Sequence, residues 1–342
     1  MGRKLRSSSV NSIPDKHRSD VEGLLNIDKA PRLTSHDVVA HVRRLTRVAR
    51  VGHAGTLDPQ ATGVLLLGLG RGTKLTQFLH ECPKTYRATL KLGVRTDSYD
   101  AAGRVVEVRS VGAIGRDTVE AVLEGFRGPI EQVPPMFSAL KRQGQRLYTL
   151  ARHGIDVERQ PRCVQIFQLT LLECAAETLR VEVECSSGTY IRVLADDIGA
   201  RLGCGAHLTT LVRTAIGPFT LQGALTLPVL EEAVRQGDWR RYVLPLSAMV
   251  EAFPALVVTP AAARALGNGV PPTRQGICRI VRTFAAGETV AILGPDAALL
   301  AMGAPTFAST ELEAVAADAP AVRLRRVLSD EGRGLDVADG MA

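Results

Sequence analysis

Gly52-His53-Ala54-Gly55-Thr56-Leu57-Asp58-Pro59-Gln60-Ala61-Thr62-Gly63 sets one carboxylate, Asp58, inside a turn and runs straight into the apolar stretch Val64 to Leu67. Gly52, Gly55 and Gly63 can take positive φ or admit the close approach of a ligand backbone. Pro59 fixes one torsion and offers no N–H to a sheet. The stretch reads as a shaped loop feeding a strand. A carboxylate held there can act as a nucleophile, as a general base, or as an Asx turn that ties down its own backbone, and Asp-Pro is also an ordinary turn initiator.

Upstream of the loop, Gly23 to Ile27 reads as a short buried strand leading into Asp28, Lys29 and Pro31. Thr34 and Ser35 offer helix caps, and Val38, Val39, Val42, Leu45 and Ala49 recur at helical spacing, with Arg43, Arg47 and Arg50 on the opposite face. This helix is expected to end beside the Asp58 loop. Downstream, Val64 to Leu69 reads as a strand and Lys74 to His80 as a short helix. Lys84 to Leu92 alternates strictly, with Tyr86, Ala88, Leu90 and Leu92 on one face. Arg95 to Gly103 is a polar loop before the strand Arg104 to Val108, and a helix follows with Val119, Val122, Leu123 and Phe126 inward.

Residues 128–159 differ in character, holding Pro134 and Pro135 and a basic tip with Lys141, Arg142 and Arg146. They read as an inserted arm over the active face. Two strands (Arg162 to Cys174, Thr178 to Cys185), the helix Tyr190 to Leu202 and an apolar strand ending near Ile216 complete this part. Beyond Trp239 short β-like runs (256–258, 277–281, 289–293, 322–327) alternate with Gly and Pro, the pattern of a small barrel-like unit. The expected division is a basic disordered arm over 1–20, a catalytic domain over 21–252, a β domain over 253–328 and a disordered tail over 329–342.

The 342 residues suffice for two domains, and 45% hydrophobic residues match a globular chain. No apolar run approaches the ~20 residues that span a bilayer. Residues 1–20 lack the apolar segment of a secretory signal. Six cysteines without a C-x-x-C pair suggest reduced thiols in a cytoplasm and no zinc site. Net charge is +7, and the excess lies early: residues 1–50 carry eleven Lys or Arg against five Asp or Glu. A basic N-terminal third beside a candidate catalytic loop suggests a polyanionic substrate, nucleic acid being the usual one. A basic face can also be plain solvated surface, and 4% aromatic residues is low for extensive base stacking.

Four pieces in order, the Asp58 loop, Tyr86 after Lys84, the loop Arg95 to Asp100, and Gly188-Thr189-Tyr190-Ile191-Arg192, resemble the TruB family of tRNA pseudouridine synthases. Gly-Thr-Leu-Asp-Pro-x-Ala-Thr-Gly is long enough to be specific. Supporting stretches are Gly-Leu-Leu-Asn-Ile-Asp-Lys at 23–29, Phe-Ser-Ala-Leu-Lys at 137–141, Cys-Ser-Ser-Gly-Thr-Tyr-Ile-Arg at 185–192 and Gly-Cys-Gly-Ala-His-Leu at 203–208. The resemblance covers about residues 21–328, and Ala54 departs from it where relatives often carry Thr.

The resemblance implies an α+β fold. A mixed, mostly antiparallel sheet would form the catalytic domain, with the RNA-gripping arm inserted and a small PUA-like β-barrel following. It implies isomerisation of uridine 55 in the T arm of tRNA by base flipping, without cofactor or metal. Asp58 would start the reaction by attacking the ribose or taking its proton, Arg192 would pair with Asp58, and Tyr86 would stack on the uracil. His53 would fill the gap left by the base, Tyr190 and Leu211 would line the pocket, and Lys29, Lys74, Lys141 and Arg146 would meet phosphates. The implied partner is tRNA alone, bound by a cytoplasmic monomer with no obligate protein partner. Two other readings share the fold: a guide-RNA-dependent enzyme acting on ribosomal RNA, which the inserted arm disfavours, and a non-catalytic RNA-binding or RNA-folding protein.

Overall fold

The computed structural model describes residues 20–328 except 139, 140, 143, 153, 154 and 156. The expected tail, and the expected N-terminal arm but for Asp20, lie outside the described residues.

The chain opens with β1 (Gly23–Lys29), α1 (Ser35–Thr46), β2 (Val51–His53), β3 (Thr62–Leu69), α2 (Thr76–Glu81) and β4 (Lys84–Leu92). A hairpin, β5 (Val94–Thr96) and β6 (Val105–Val108), precedes α3 (Arg116–Glu124) and β7 (Gly128–Gln132). The inserted arm supplies a two-stranded ladder, β8 (Lys141–Arg142) with β9 (Gln145–Arg146), and the short α4 (Leu147–Arg152). Next come β10 (Arg162–Ala175), β11 (Thr178–Cys185), α5 (Ile191–Arg201), β12 (Ala206–Ile216), β13 (Phe219–Thr220), β14 (Leu225–Thr226) and α6 (Leu227–Gln236).

One large sheet runs in the order β14-β1-β3-β12-β4-β11-β10-β7, with β2 on β3 and β13 on β12. Its ladders are antiparallel except β1 with β14 and β3 with β12. This is the expected α+β fold with a mixed, mostly antiparallel sheet. The run of leucines in β3 reflects cover on both faces. Val64 and Leu66 join one core cluster, while Leu65, Leu67 and Leu69 join another beneath α1 and α6. On β4 one face only is deeply buried, and Ala88, Leu90 and Leu92 pack with α3 and α5.

Helix α1 starts, rather than ends, beside the Asp58 loop. Its N-cap Thr34 closes a reciprocal capping box with Asp37, and Ser35 Oγ accepts the Leu57 N–H at 2.9 Å. The first turn of α1 and the loop are therefore pinned together. The spacing of apolar residues gave the helix but not its polarity relative to a loop twenty residues away.

After α7 (Met249–Ala252), the C-terminal unit contains β15 (Ala255–Val258), α8 (Pro260–Gly267), β16 (Ile277–Ile280), β17 (Val290–Leu293), β18 (Leu299–Pro305) and β19 (Val322–Val327). Its five strands are ordered β16-β15-β17-β18-β19, and no ladder joins β16 to β19 among the described residues. The sheet is open where closure into a barrel was expected, its two outer strands lying at opposite ends of the order. The core crosses the expected boundary at 252/253. Leu66 and Phe78 share one buried cluster with Met249, Phe253, Ala291 and Met302. Among the described residues no helix is long and apolar enough to cross a membrane.

Candidate active site

The Asp58 turn is held from below by two buried cations. Arg213, 1% exposed on β12, donates from Nε to the Val64 carbonyl at 2.8 Å and from Nη2 to Gly55 at 3.0 Å. Lys29, fully buried at the end of β1, donates from Nζ to the carbonyls of Leu33 at 2.7 Å and of Ala30 and Pro59 at 3.1 Å. Burial pulls the Lys29 pKa down to about 8, against the charge of Asp58. The Arg32 N–H reaches the Pro59 carbonyl at 2.8 Å, and the Ala61 N–H closes the turn on Asp58 O at 3.0 Å. Backbone carbonyls that would otherwise lack donors thus fix the loop. Gly63, at φ +99°, is required here, since a Cβ would stand 2.2 Å from the Arg213 carbonyl oxygen.

With its base fixed, the loop leaves the Asp58 side chain half-exposed at the mouth of a cavity of about 480 Å³. Asp58, Thr62, Asp100, Leu208 and Leu211 are among the residues lining it. Arg192, in the first turn of α5, is buried and reaches three elements. Its Nη2 lies 3.3 Å from Asp58 Oδ2 and donates to the Phe137 carbonyl at 2.7 Å, and its Nη1 lies 3.3 Å from Asp100 Oδ2. Its Nε has no hydrogen-bond partner among the described residues. One planar guanidinium therefore ties the Asp58 turn, the Asp100 loop and the root of the inserted arm.

The Asp100 loop is itself built to hold that carboxylate. Asp100 Oδ1 accepts from Ser98 Oγ at 2.6 Å and from the Ala102 N–H at 3.0 Å, leaving Oδ2 for Arg192. Arg95 anchors the start of the loop by a fork onto Asp196, with contacts of 2.8 and 2.9 Å. The Ala101 N–H and the Tyr99 carbonyl bond Leu208, fastening the loop to β12. Tyr190 caps α5, and Gln132 clamps its backbone, accepting the Tyr190 N–H at 3.0 Å and donating to its carbonyl at 3.3 Å. The Arg192 guanidinium sits 5.9 Å from the Tyr190 ring centre.

Tyr86 lies opposite Arg213 in the β4–β12 ladder, as Ala88 lies opposite Leu211. Burial raises the Tyr86 phenol pKa, so the hydroxyl stays protonated, with Arg213 charge and hydrogen bonding opposing and the Asp58 charge adding. At the other end of the loop the His53 ring meets His36 edge-on at 5.4 Å, and its Nδ1 has no partner among the described residues. Burial, then the charges of His36, His80 and Arg213, lower the His53 pKa to about 4, so the ring is neutral at neutral pH.

Asp58, Arg192 and Leu211 are thus brought together, with Tyr190 and Tyr86 attached through Arg192 and β12. Lys29 corrects the expectation of a phosphate contact: its amine is enclosed by carbonyls and out of reach of any ligand. Lys74 lies half-buried on the 3-10 turn Gly70–Lys74, which packs on β2. Lys141 and Arg146 face each other across the β8–β9 ladder, and their side chains lie outside the described part of the structure. Asp100 and Arg213 went unassigned in the sequence. A lone arginine inside the apolar run of β12 was the available signal, because a buried cation needs partners.

Residues 43–191 match the family model described as "TruB family pseudouridylate synthase (N terminal domain)", and residues 192–251 match the "tRNA pseudouridylate synthase B C-terminal domain". The chain is 43% identical over 279 residues to the "tRNA pseudouridine synthase B" of Syntrophotalea carbinolica, covering 82% of this chain and 90% of that protein. It is 47% identical over 249 residues to the protein of the same name from Chromohalobacter salexigens, covering 73% and 81%. Among solved structures, a chain of a Cbf5-Nop10-Gar1 complex superposes with a TM-score of 0.74 at 29% identity, covering 90% of this chain and 84% of that one. With two family models spanning 43–251 and relatives matched over most of their length, the chain belongs to the TruB family of pseudouridine synthases.

Proposed function

We propose that this protein isomerises uridine 55 in the T arm of tRNA to pseudouridine, acting as a single chain. The observation that carries the reading is the 3.3 Å pair between Arg192 and Asp58 at the mouth of a cavity large enough for a base. Relatives named tRNA pseudouridine synthase B supply the substrate class.

The target uridine leaves its stack, at a cost of a few kcal/mol, and His53, neutral and flat, takes the vacated space. The uracil enters between Asp58 and Leu211, with Tyr86 and Tyr190 beside it. Arg192 orients the carboxylate, which attacks the ribose or takes a proton from it. The bond between C1′ and N1 breaks, its electron pair leaving on the uracil. The base turns, C5 bonds to C1′, the proton on C5 leaves and N1 regains one. The reaction balances without an oxidant, a reductant or an external group.

Tritium release from 5-tritiated uridine in a T-arm transcript, with the purified chain and no other protein, tests the reading. Wild type should release tritium and Asp58→Asn and Asp58→Ala should not. Binding of the RNA without release by wild type would end the isomerase reading, and activity in both variants would remove Asp58 from the chemistry.

A further inference from the structure

The exposed cations of α1 are arranged differently from those of the other surface helices. On α3, Arg116 pairs with Glu120, and Glu124 with Arg127 just beyond the helix; on α6, Arg235 pairs with Glu232. Those are mixed-sign solvated faces. On α1 the exposed residues His36, Ala40, Arg43 and Arg44, followed by Arg47 at the C-cap, fall at i, i+4, i+7, i+8 and i+11 and form one row. No carboxylate pairs with Arg43, Arg44 or Arg47 among the described residues. The acids nearby are engaged otherwise. Asp37 accepts from Thr34 N and Oγ1 within the capping box, and Glu231 of α6 meets His41 at 2.7 Å.

The row begins at the catalytic loop. Ser35 is bonded to Leu57, and the His36 ring packs on His53, the residue assigned to the gap behind the flipped base. At 1.5 Å per residue, Arg47 stands on the order of 16 Å along the helix from His36, a span of a few nucleotides of single strand. A row of cations with no interleaved acid and no large apolar side chain suits a polyanion rather than a folded protein surface.

We propose that this face of α1 is a phosphate-tracking surface that holds the sugar–phosphate strand of the substrate RNA as it leads away from the cavity mouth. The proposal rests on the tRNA reading above, and its readout is binding rather than turnover. Arg43 and Arg47 each neutralise a phosphate and release a counterion, so they contribute to affinity and to its salt dependence and not to the choice of base.

The test is fluorescence anisotropy of labelled tRNA bound to Asp58→Asn protein, with and without Arg43→Gln and Arg47→Gln together, across a salt series. The double substitution should raise Kd several-fold at physiological salt and lower the slope of log Kd against log salt by about 1 to 2. Arg43→Lys with Arg47→Lys should restore most of the slope, since a phosphate reads either cation as a charge. An unchanged Kd and slope would overturn the proposal, as would weakened binding at unchanged slope. A wild-type protein that binds tRNA with the predicted slope but releases no tritium would lose the isomerase reading alone. Tritium release with a salt slope indifferent to both residues would lose only the surface.

Discussion

Arg213 Nη2 donates to the Gly55 carbonyl at 3.0 Å while its Nε donates to Val64, so one buried guanidinium holds both ends of the turn that carries Asp58. Arg213→Met keeps much of the volume and leaves both carbonyls without a donor. Each should cost about 1–3 kcal/mol. The urea midpoint is therefore expected to fall at unchanged m, and turnover to fall more than tRNA affinity. A wild-type midpoint in the variant would remove Arg213 from the brace.

Arg192 spans Asp58, Asp100 and the Phe137 carbonyl with one planar group. A lysine there retains the charge but cannot reach all three. Arg192→Lys should lower kcat by about 10²- to 10³-fold, the scale of losing an aligned group at a reacting centre, and leave KM within a few-fold. Asp100→Asn should show the same pattern more mildly, because an amide oxygen can still accept one bond from Arg192. Single-turnover tritium release separates the two parameters. An effect on KM alone would move Arg192 from orienting Asp58 to holding RNA.

Local periodicity carried most of the fold. The alternation over Lys84 to Leu92 and the apolar face of α1 report neighbours within one element, and both elements form as read. Asp58, Arg192 and Leu211 were legible because a long motif and its companions stand in a recognisable order. Lys29, Arg213 and Asp100 were misread or unassigned for a common reason. The meaning of each depends on groups far away in sequence: Lys29 reaches Pro59, Arg213 reaches Gly55, and Asp100 meets Arg192. A lysine two residues before a proline looks solvated until the carbonyls that enclose it are placed. The open C-terminal sheet is a similar case, since strand runs and turns show that strands exist but not whether the first and last meet.

Acid should weaken the fold through two histidines beside the loop. Burial lowers the His53 pKa to about 4, aided by His36, His80 and Arg213, and burial, Lys84 and Arg213 lower that of His80. In the unfolded chain an imidazole titrates near 6.5. Between about pH 6.5 and 4 the unfolded state thus binds more protons than the folded state, and stability is lost as pH falls through that window. Urea midpoints should be flat above neutrality and decline on acidification, with His53→Phe showing a shallower decline. An identical slope in the variant would mean that His53 is protonated in the folded protein.

The C-terminal sheet should unfold together with the large one. Met302 on β18 is fully buried and shares a cluster with Leu66 of β3 and Phe78 of α2. Thr289 donates to Glu81 at 3.0 Å and Arg71 to the Leu328 carbonyl at 2.8 Å across the same seam. Met302→Ala deletes buried volume at the seam and should cost about 2–5 kcal/mol. Trp239, the single tryptophan, lies in the other cluster beneath α1 and α6, so its fluorescence reports on the large sheet alone. If the two sheets form one cooperative unit, Met302→Ala shifts the Trp239 urea transition by the full loss of stability. If that transition stays at the wild-type midpoint while circular dichroism shows an earlier loss of structure, the C-terminal unit unfolds alone and the shared core does not couple it.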